Sequence, residues 1–144
     1  MIIGIDPGKN GAIALFDPAE MMVSTFDMPG TVEGKRQLLS DIGKVRLACI
    51  ERPFYPRMIG IKNAVTIALA YGEMKTCLYF AGIPTVEVDP SAWKRSYHLT
   101  TDKNASRAMA SQIFPDCADQ WALVKHDGRA EAALIAYYGY QKGR

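Results

Sequence analysis

The sequence predicts an α/β protein built on a five-stranded mixed sheet with helices on both faces. Three short apolar segments near the N-terminus follow one another across Pro-Gly and Asp-Pro turns, which is typical of an antiparallel meander. Two later apolar segments alternate with helical stretches, which is typical of parallel strands joined by crossovers. The 144 residues contain no repeat or linker, so we expect one domain over residues 1–144.

Turn and capping residues set the boundaries of each predicted element. Thr31 and either Thr101 or Asp102 are the expected helix N-caps, whereas Gly43 and Gly82 are expected to stop helices. A polar loop is expected before the last helix. The predicted strands cover residues 1–6, 11–17, 21–28, 45–51 and 83–88, and the predicted helices cover residues 31–42, 62–81, 102–113 and 128–140.

Composition excludes several classes of protein. Hydrophobic residues make up 49% and charged residues 22%, as in ordinary globular domains. We find no apolar run of membrane-spanning length and no signal-peptide pattern, so we expect a cytoplasmic protein without a membrane partner. The three cysteines are far apart and only two histidines are present, which argues against a disulfide framework and a zinc site.

The net charge of +2 indicates no partner, but its distribution is uneven. Residues 52–62 contain three basic side chains and no acid, and residues 93–107 contain four basic side chains against Asp102. These stretches are either solvated surfaces or one face that binds a polyanion.

Two predicted strands end on a carboxylate. Asp6 precedes Pro7-Gly8, where an aspartate alone is most simply a turn residue. Glu51 follows Leu-Ala-Cys-Ile, where a glutamate is expensive if buried without a partner. If the two strands are neighbours in the sheet, the two carboxylates lie side by side.

The segment HDGRAEAALIAYYG adds two more acids. Asp127 can cap the last helix, and Glu131, four residues on, shares its face. Taken singly, the first is a cap and the second a surface residue. Together with Asp6 and Glu51 they form a cluster that needs a cation, and all-oxygen ligands favour Mg²⁺ or Mn²⁺. Two such ions form a site for phosphoryl displacement, with no small-molecule cofactor.

The motifs GIDPG, CIERPF and KHDGRAEAALIAYYG, in this order, resemble the RuvC-like Holliday-junction resolvases, and most closely the phage-encoded branch. The resemblance covers nearly the whole chain. It implies an RNase H-like fold, a homodimer that cuts two strands of a four-way DNA junction, and two Mg²⁺ or Mn²⁺ ions per active site. A phage-encoded protein would act in the cytoplasm of the infected host cell.

The resemblance assigns the metal ligands to Asp6, Glu51, Asp127 and Glu131. The last two are four residues apart, whereas bacterial members usually place this pair three apart, which leaves open which one is the main ligand. His126 is assigned as a general base or a DNA contact.

The resemblance also implies DNA-binding residues. Phe54 takes the place of an aromatic that wedges into the junction, the alternative being a loop aromatic that closes the core. Lys94 is expected near the scissile phosphate, as a phosphate contact or catalytic residue, and Trp93 in the core. Residues 62–81 correspond to the dimer helix, the alternative being an internal core helix. The expected DNA-binding set is Arg52, Phe54, Tyr55, Arg57, Lys62, Lys94, Arg95, Lys103 and Arg107.

Three other functions are compatible with parts of the sequence. A phosphotransferase of the actin and sugar-kinase type needs a second domain, for which 144 residues leave no room. A catalytically silent nucleic-acid-binding relative would lack one or more acids, yet all four are present. A nuclease that acts on flaps or RNA–DNA hybrids stays open.

Overall fold

The computed structural model describes residues 1–8, 10–100 and 102–143, with only the backbone of Lys103. Two 3-10 helices, Pro115–Trp121 and Val124–His126, precede the last α-helix. The strands are β1 Ile2–Asp6, β2 Ala12–Asp17, β3 Met22–Asp27, β4 Leu47–Glu51 and β5 Thr85–Val88. The α-helices are α1 Val32–Asp41, α2 Ile61–Phe80, α3 Pro90–Ser96, α4 Lys103–Ile113 and α5 Asp127–Lys142.

The strands form one mixed sheet in the order β3-β2-β1-β4-β5. The three N-terminal strands pair antiparallel, whereas β4 pairs parallel with both β1 and β5. This arrangement confirms the predicted five-stranded mixed sheet. In the central parallel pair, Gly4 lies opposite Cys49 and Ile5 opposite Ile50.

Side-chain alternation along the strands divides the interior into two cores. Ile2, Phe16 and Cys49 belong to the core on the face covered by α5. Ile3, Ile5 and Ile50 belong to the core on the opposite face, with residues of α1 and α2. Helices therefore cover both faces, as predicted.

Small residues bring α5 unusually close to the sheet. A Cβ atom on Gly4 would lie 2.1 Å from the carbonyl oxygen of Ala132 and 2.3 Å from the backbone nitrogen of Ala136. No side chain fits at that position, so the glycine on β1 permits the close approach of α5 to the sheet.

Helix α2 is anchored only near its C-terminal end. Its buried residues are Met74, Cys77 and Leu78. The side chains of Val65 and Leu69 in its first half are 51% and 60% exposed. The helix is therefore neither an internal core helix throughout nor an ordinary polar surface helix. None of the described helices has both the length and the hydropathy needed to cross a bilayer.

Most predicted boundaries hold to within two residues. Thr31 caps α1 through its side chain, and Asp102 caps α4. The alternative cap, Thr101, lies outside the described residues. Gly43 and Gly82 follow the ends of α1 and α2 with positive φ angles of 73° and 66°.

Three local predictions are wrong. Asp89-Pro90 ends β5 as expected, but Asp89 also caps the short helix α3 with Pro90 in its first turn. The supposed polar loop before the last helix contains the two 3-10 helices. Asp127 is the first residue of α5 rather than its N-cap; His126 occupies the cap position and makes no side-chain capping bond, because the chain enters α5 straight from a 3-10 turn.

Candidate active site

Asp6 and Glu51 end neighbouring parallel strands. Ile5 pairs with Ile50, so the following residues are next to each other at one edge of the sheet. Because Ile5 and Ile50 face the α1–α2 core, alternation turns both carboxylates toward α5. The structure thus places these two acids side by side, as the sequence predicted.

The Asp6 carboxylate is held by the turn that follows it. The backbone N–H of Gly8 donates a hydrogen bond to its Oδ1 atom at 3.0 Å. Burial raises the pKa of Asp6 to about 6; the bond from Gly8 opposes this rise, and the negative charge of Glu131 adds to it. Asp6 is therefore both the turn residue and a perturbed acid.

Glu51 is oriented by a buried tryptophan. The indole Nε1–H of Trp93 donates a hydrogen bond to its Oε2 atom at 2.5 Å. Burial raises the pKa of Glu51 to about 7, the bond from Trp93 opposes this rise, and Asp6 adds to it. Trp93 is fully buried, which confirms its assignment to the core. The sequence did not reveal the bond, because it depends on the unpredicted helix α3.

Glu131 is the meeting point of three elements. The Lys94 ammonium lies 3.3 Å from its Oε1 atom, and the Ser106 hydroxyl donates to the same oxygen at 3.1 Å. The charge of Lys94 also lowers the pKa values of Asp6 and Glu51. Lys94 is thus within the acidic cluster, whereas the part played by Ser106 was missed.

The first turn of α5 closes on the turn after β1. A Cβ atom on Gly128 would lie 2.5 Å from the carbonyl oxygen of Asn10 and 3.3 Å from the Oδ2 atom of Asp6. The glycine between Asp127 and Glu131 therefore permits the contact that brings α5 to Asp6.

A cavity of about 280 Å³ lies where these elements meet; we call it the carboxylate cavity. Its walls include Asp6, Asp127, Glu131 and Lys94. Glu51 is not among the lining residues, although it follows Ile50, the strand partner of Ile5. Asp102, the cap of α4, also lines it. The sequence predicted Asp102 only as a cap, since its approach to the other acids depends on the path between α3 and α4.

The donor set fits a hard divalent cation. It consists of carboxylate oxygens. Two of the acids, Asp6 and Glu51, are half-buried and have raised pKa values, and such acids gain from a nearby positive charge. Within the described part of the chain, no three carboxylate, imidazole or thiol side chains are close enough as they stand to hold one metal ion. The Lys94 ammonium lies among the acids, beside Glu131.

His126 lies outside the carboxylate cavity, in an adjoining cleft that also includes Asp127. Its Nδ1 atom is buried and has no hydrogen-bond partner among the described residues. Burial lowers the pKa of His126, and the charges of Arg129 and Lys125 lower it further. The imidazole is thus favoured in its neutral form, the form in which one ring nitrogen can accept a proton.

The predicted DNA-binding residues divide into exposed and engaged groups. Phe54 is 71% exposed, so the alternative of a loop aromatic closing the core is wrong. The Arg52 Nε atom lies 3.5 Å from Glu87 Oε2. Arg107 donates to the carbonyl of Ala122 at 2.9 Å. The exposed group also contains Tyr55, Arg57, Lys62 and Arg95, whereas the side chain of Lys103 lies outside the described residues.

Solved structures resemble this fold over nearly its whole length. RuvC from Thermus thermophilus in complex with Holliday junction substrate matches with a TM-score of 0.65 and 14% identity, covering 99% of this chain and 96% of that one. The Fowlpox virus resolvase in complex with its substrate Holliday junction DNA matches with a TM-score of 0.54 and 13% identity, covering 98% and 97%. These likenesses confirm the predicted RNase H-like fold. No protein-family model and no curated protein sequence matches the chain.

Proposed function

We propose that this protein is a metal-dependent, structure-selective DNA endonuclease that resolves four-way or other branched DNA by paired phosphodiester hydrolysis. The observation that carries the proposal is the acidic cluster on β1, β4 and α5, at the edge of a fold shared with two junction resolvases. That the protein is most similar to the phage-encoded branch of these resolvases stays a prediction.

Two Mg²⁺ or Mn²⁺ ions, held by Asp6, Glu51, Asp127 and Glu131, would activate a water and stabilise the leaving 3′ oxygen. The proposal requires these carboxylates to draw together around the ions. The chain supplies the orientation: the Gly8 N–H fixes one oxygen of Asp6, and the Trp93 indole fixes one of Glu51. Buried hydrogen-bonded supports of this kind limit how far each ligand moves.

Lys94 has two parts in the proposal. Its ammonium neutralises Glu131 in the metal-free protein. It also lies about 5.1 Å from the centre of the Trp93 ring, so it stays at the rim of the cavity when its carboxylate partner turns to a metal. There it is placed to contact a DNA phosphate.

Substrate choice would come from a dimer and from the exposed loop 52–60. We propose that α2, which spans most of the predicted helix 62–81, packs against its counterpart in a second copy through side chains that include Val65 and Leu69. Two active sites at a fixed separation would favour a branched substrate over a linear duplex. Phe54 is exposed enough to wedge between bases, and the exposed side chains of Arg57 and Lys62 nearby in the chain would contact phosphates.

Cleavage assays on four-way junction, flap, Y-form, duplex and RNA–DNA hybrid substrates, each with Mg²⁺ and with Mn²⁺, test the proposal. We expect paired cuts in the junction. Asp6→Asn and Glu51→Gln should bind the junction but lose more activity than the roughly 100-fold typical of losing an outer-shell partner. Asp116→Asn, at an exposed acid outside the site, is the matched control.

Two results would overturn the assignment. Cutting of flaps or hybrids with intact junctions would replace it by the alternative nuclease function. Junction binding by the wild type without cleavage in either metal would identify a catalytically silent nucleic-acid-binding protein.

A further inference from the structure

A second cleft adjoins the carboxylate cavity on the side of His126. We call it the platform cleft; its volume is about 560 Å³. The two cavities share Asn10, Gly11 and Asp127 in their walls. A DNA strand bound with one phosphate at the acids would therefore have this cleft beside its neighbouring nucleotide.

The platform cleft is lined mainly by polar residues but has one apolar side. Val124 lines it and is 69% exposed, and the preceding Leu123 is 54% exposed. Half-buried Met28 also lines the cleft. Exposed apolar surface rimmed by polar groups is a feature of binding sites, and nucleobases have flat faces that pack on such surface.

The polar groups of the cleft favour a nucleotide over a purely apolar ligand. Lys125 has no ion-pair partner among the described residues. Asp27 is neutralised by Arg129, whose Nε and Nη2 atoms lie 2.7 Å from its two oxygens. The buried Nδ1 atom of His126 lacks a hydrogen-bond partner within the described chain. Among the described residues, the cleft thus contains the Lys125 ammonium and an imidazole nitrogen without a partner, and Asp127 adds a carboxylate where the two cavities join.

The segment that carries these groups is braced from behind. Arg107 donates to the carbonyl of Ala122 at 2.9 Å, and the Nη1 atom of Arg129 donates to the carbonyl of Gln120 at 3.1 Å. The N–H of His126 closes the turn onto the carbonyl of Leu123 at 2.9 Å. A surface fixed in this way loses little conformational entropy when a ligand binds.

We propose that the platform cleft binds the nucleotide next to the scissile phosphate, with its base packed on Val124 and its phosphate beside Lys125. This inference rests on the proposed nuclease function. It also locates a source of cleavage-sequence preference: bases that fill the space between Val124 and Met28 differently would be cut at different rates.

The direct test is methyl NMR of the full-length Asp6→Asn variant, labelled at valine and leucine, on addition of a four-way junction. We expect the Val124 and Leu123 methyl signals to shift, while Val86, a 44% exposed valine on β5, stays unchanged. If other methyl signals shift and Val124 does not, the platform cleft is not a nucleotide site and the nuclease proposal stands. If no methyl signal shifts and the wild type cuts no branched DNA, both proposals fail.

Cleavage of a junction library randomised around the cut provides the second test. Val124→Ala should lower cleavage roughly fivefold and change the preferred bases on one side of the cut, whereas Val86→Ala should do neither. Lys125→Ala should reduce the slope of log affinity against log salt by about one. Unchanged base preference in Val124→Ala would overturn the inference, whatever the rate.

Discussion

Helices α5 and α2 pack on opposite faces of the same sheet, yet the chain uses them in opposite ways. Eight residues of α5 are buried along its length, whereas α2 is the longer helix and buries three, all in its second half. Helix α5 belongs to the interior and fixes the acids, since Glu131 extends from it. The first half of α2 has its apolar side chains on the outside. The buried helix α5 thus sets the geometry of the acidic site, whereas the exposed apolar side chains of α2 form a surface on which the dimer proposal depends.

Gly4→Ala should disrupt the packing of α5 on the sheet, and we expect it to have the largest effect. The added methyl would meet the α5 backbone at 2.1 Å, and backbone cannot move aside as a side chain can. We expect a loss of more than about 4 kcal/mol in the free energy of unfolding, measured by denaturant titration. A loss below 1 kcal/mol would mean that α5 is not seated as closely as described.

The pH dependence of stability tests the cost of burying acids beneath α5. The pKa values of Asp6 and Glu51 are raised to about 6 and about 7, so the folded protein resists their ionisation. Their contribution is favourable below the unfolded-chain values near 4 and is lost as the pH rises through 6 and 7. In EDTA, we expect the free energy of unfolding to fall by on the order of 3 kcal/mol between pH 4.5 and pH 8.

Two comparisons isolate this effect. Glu51→Gln should flatten the fall, because its side chain does not ionise. Mg²⁺ or Mn²⁺ added at pH 8 should restore stability to the wild type more than to the variant. The carboxyl of Glu87, whose pKa is lowered, acts in the opposite direction but mainly below pH 4.5. A flat profile in the wild type would show that the acids are solvated rather than buried.

Leu69→Asp tests whether the exposed apolar side chains of α2 form a dimer interface. Leu69 is 60% exposed in the single chain, so the substitution should leave the far-ultraviolet circular dichroism unchanged. It should weaken dimerisation about 30-fold, which is about 2 kcal/mol, in sedimentation velocity runs over a range of concentrations. Met21→Asp, at an exposed methionine with φ of 53°, is the matched control. A wild-type protein that is monomeric at micromolar concentration and still resolves junctions would refute the dimer proposal.

Gly72→Ala on α2 is the counterpart of Gly4→Ala and should have the smallest effect, of opposite sign. No atom lies within 4 Å of a Cβ atom built there, and alanine favours a helix over glycine. We expect a gain of at most about 1 kcal/mol in the unfolding free energy. A clear loss of unfolding free energy would mean that Gly72 makes a contact. If that loss depended on protein concentration, the contact would lie between two copies of the chain.

The sequence predicted the site best where local rules apply. Turn residues were enough to place Asp6 and Glu51 at the ends of their strands, and the two acids were expected side by side if those strands were neighbours. The structure supplies that pairing. The Asp89-Pro90 pair was predicted only to end β5, but the same two residues also begin α3. The Trp93 bond to Glu51 and the Ser106 bond to Glu131 depend on where α3 and α4 dock, which no local pattern encodes.

The exposed basic residues show a related limit. A count of charges grouped Arg52 and Arg107 with the DNA-binding candidates. The structure pairs the first with Glu87 and uses the second to brace the segment before α5. Their partners are distant in sequence, so composition alone could not separate them from Arg57 or Lys62.

The pairing of Gly4 with Cys49 also constrains how the chain can change in length. Insertion or deletion of one residue within β4 would exchange its two faces, turning Glu51 toward the isoleucine-rich core and Ile50 toward the acids. Viable length changes in β1 or β4 should therefore come in steps of two residues. Loop 52–60 has no such restriction on the number of residues. In a deletion scan, we expect folding to be lost and recovered alternately as residues are removed from β1 or β4, and to change gradually as residues are removed from the loop.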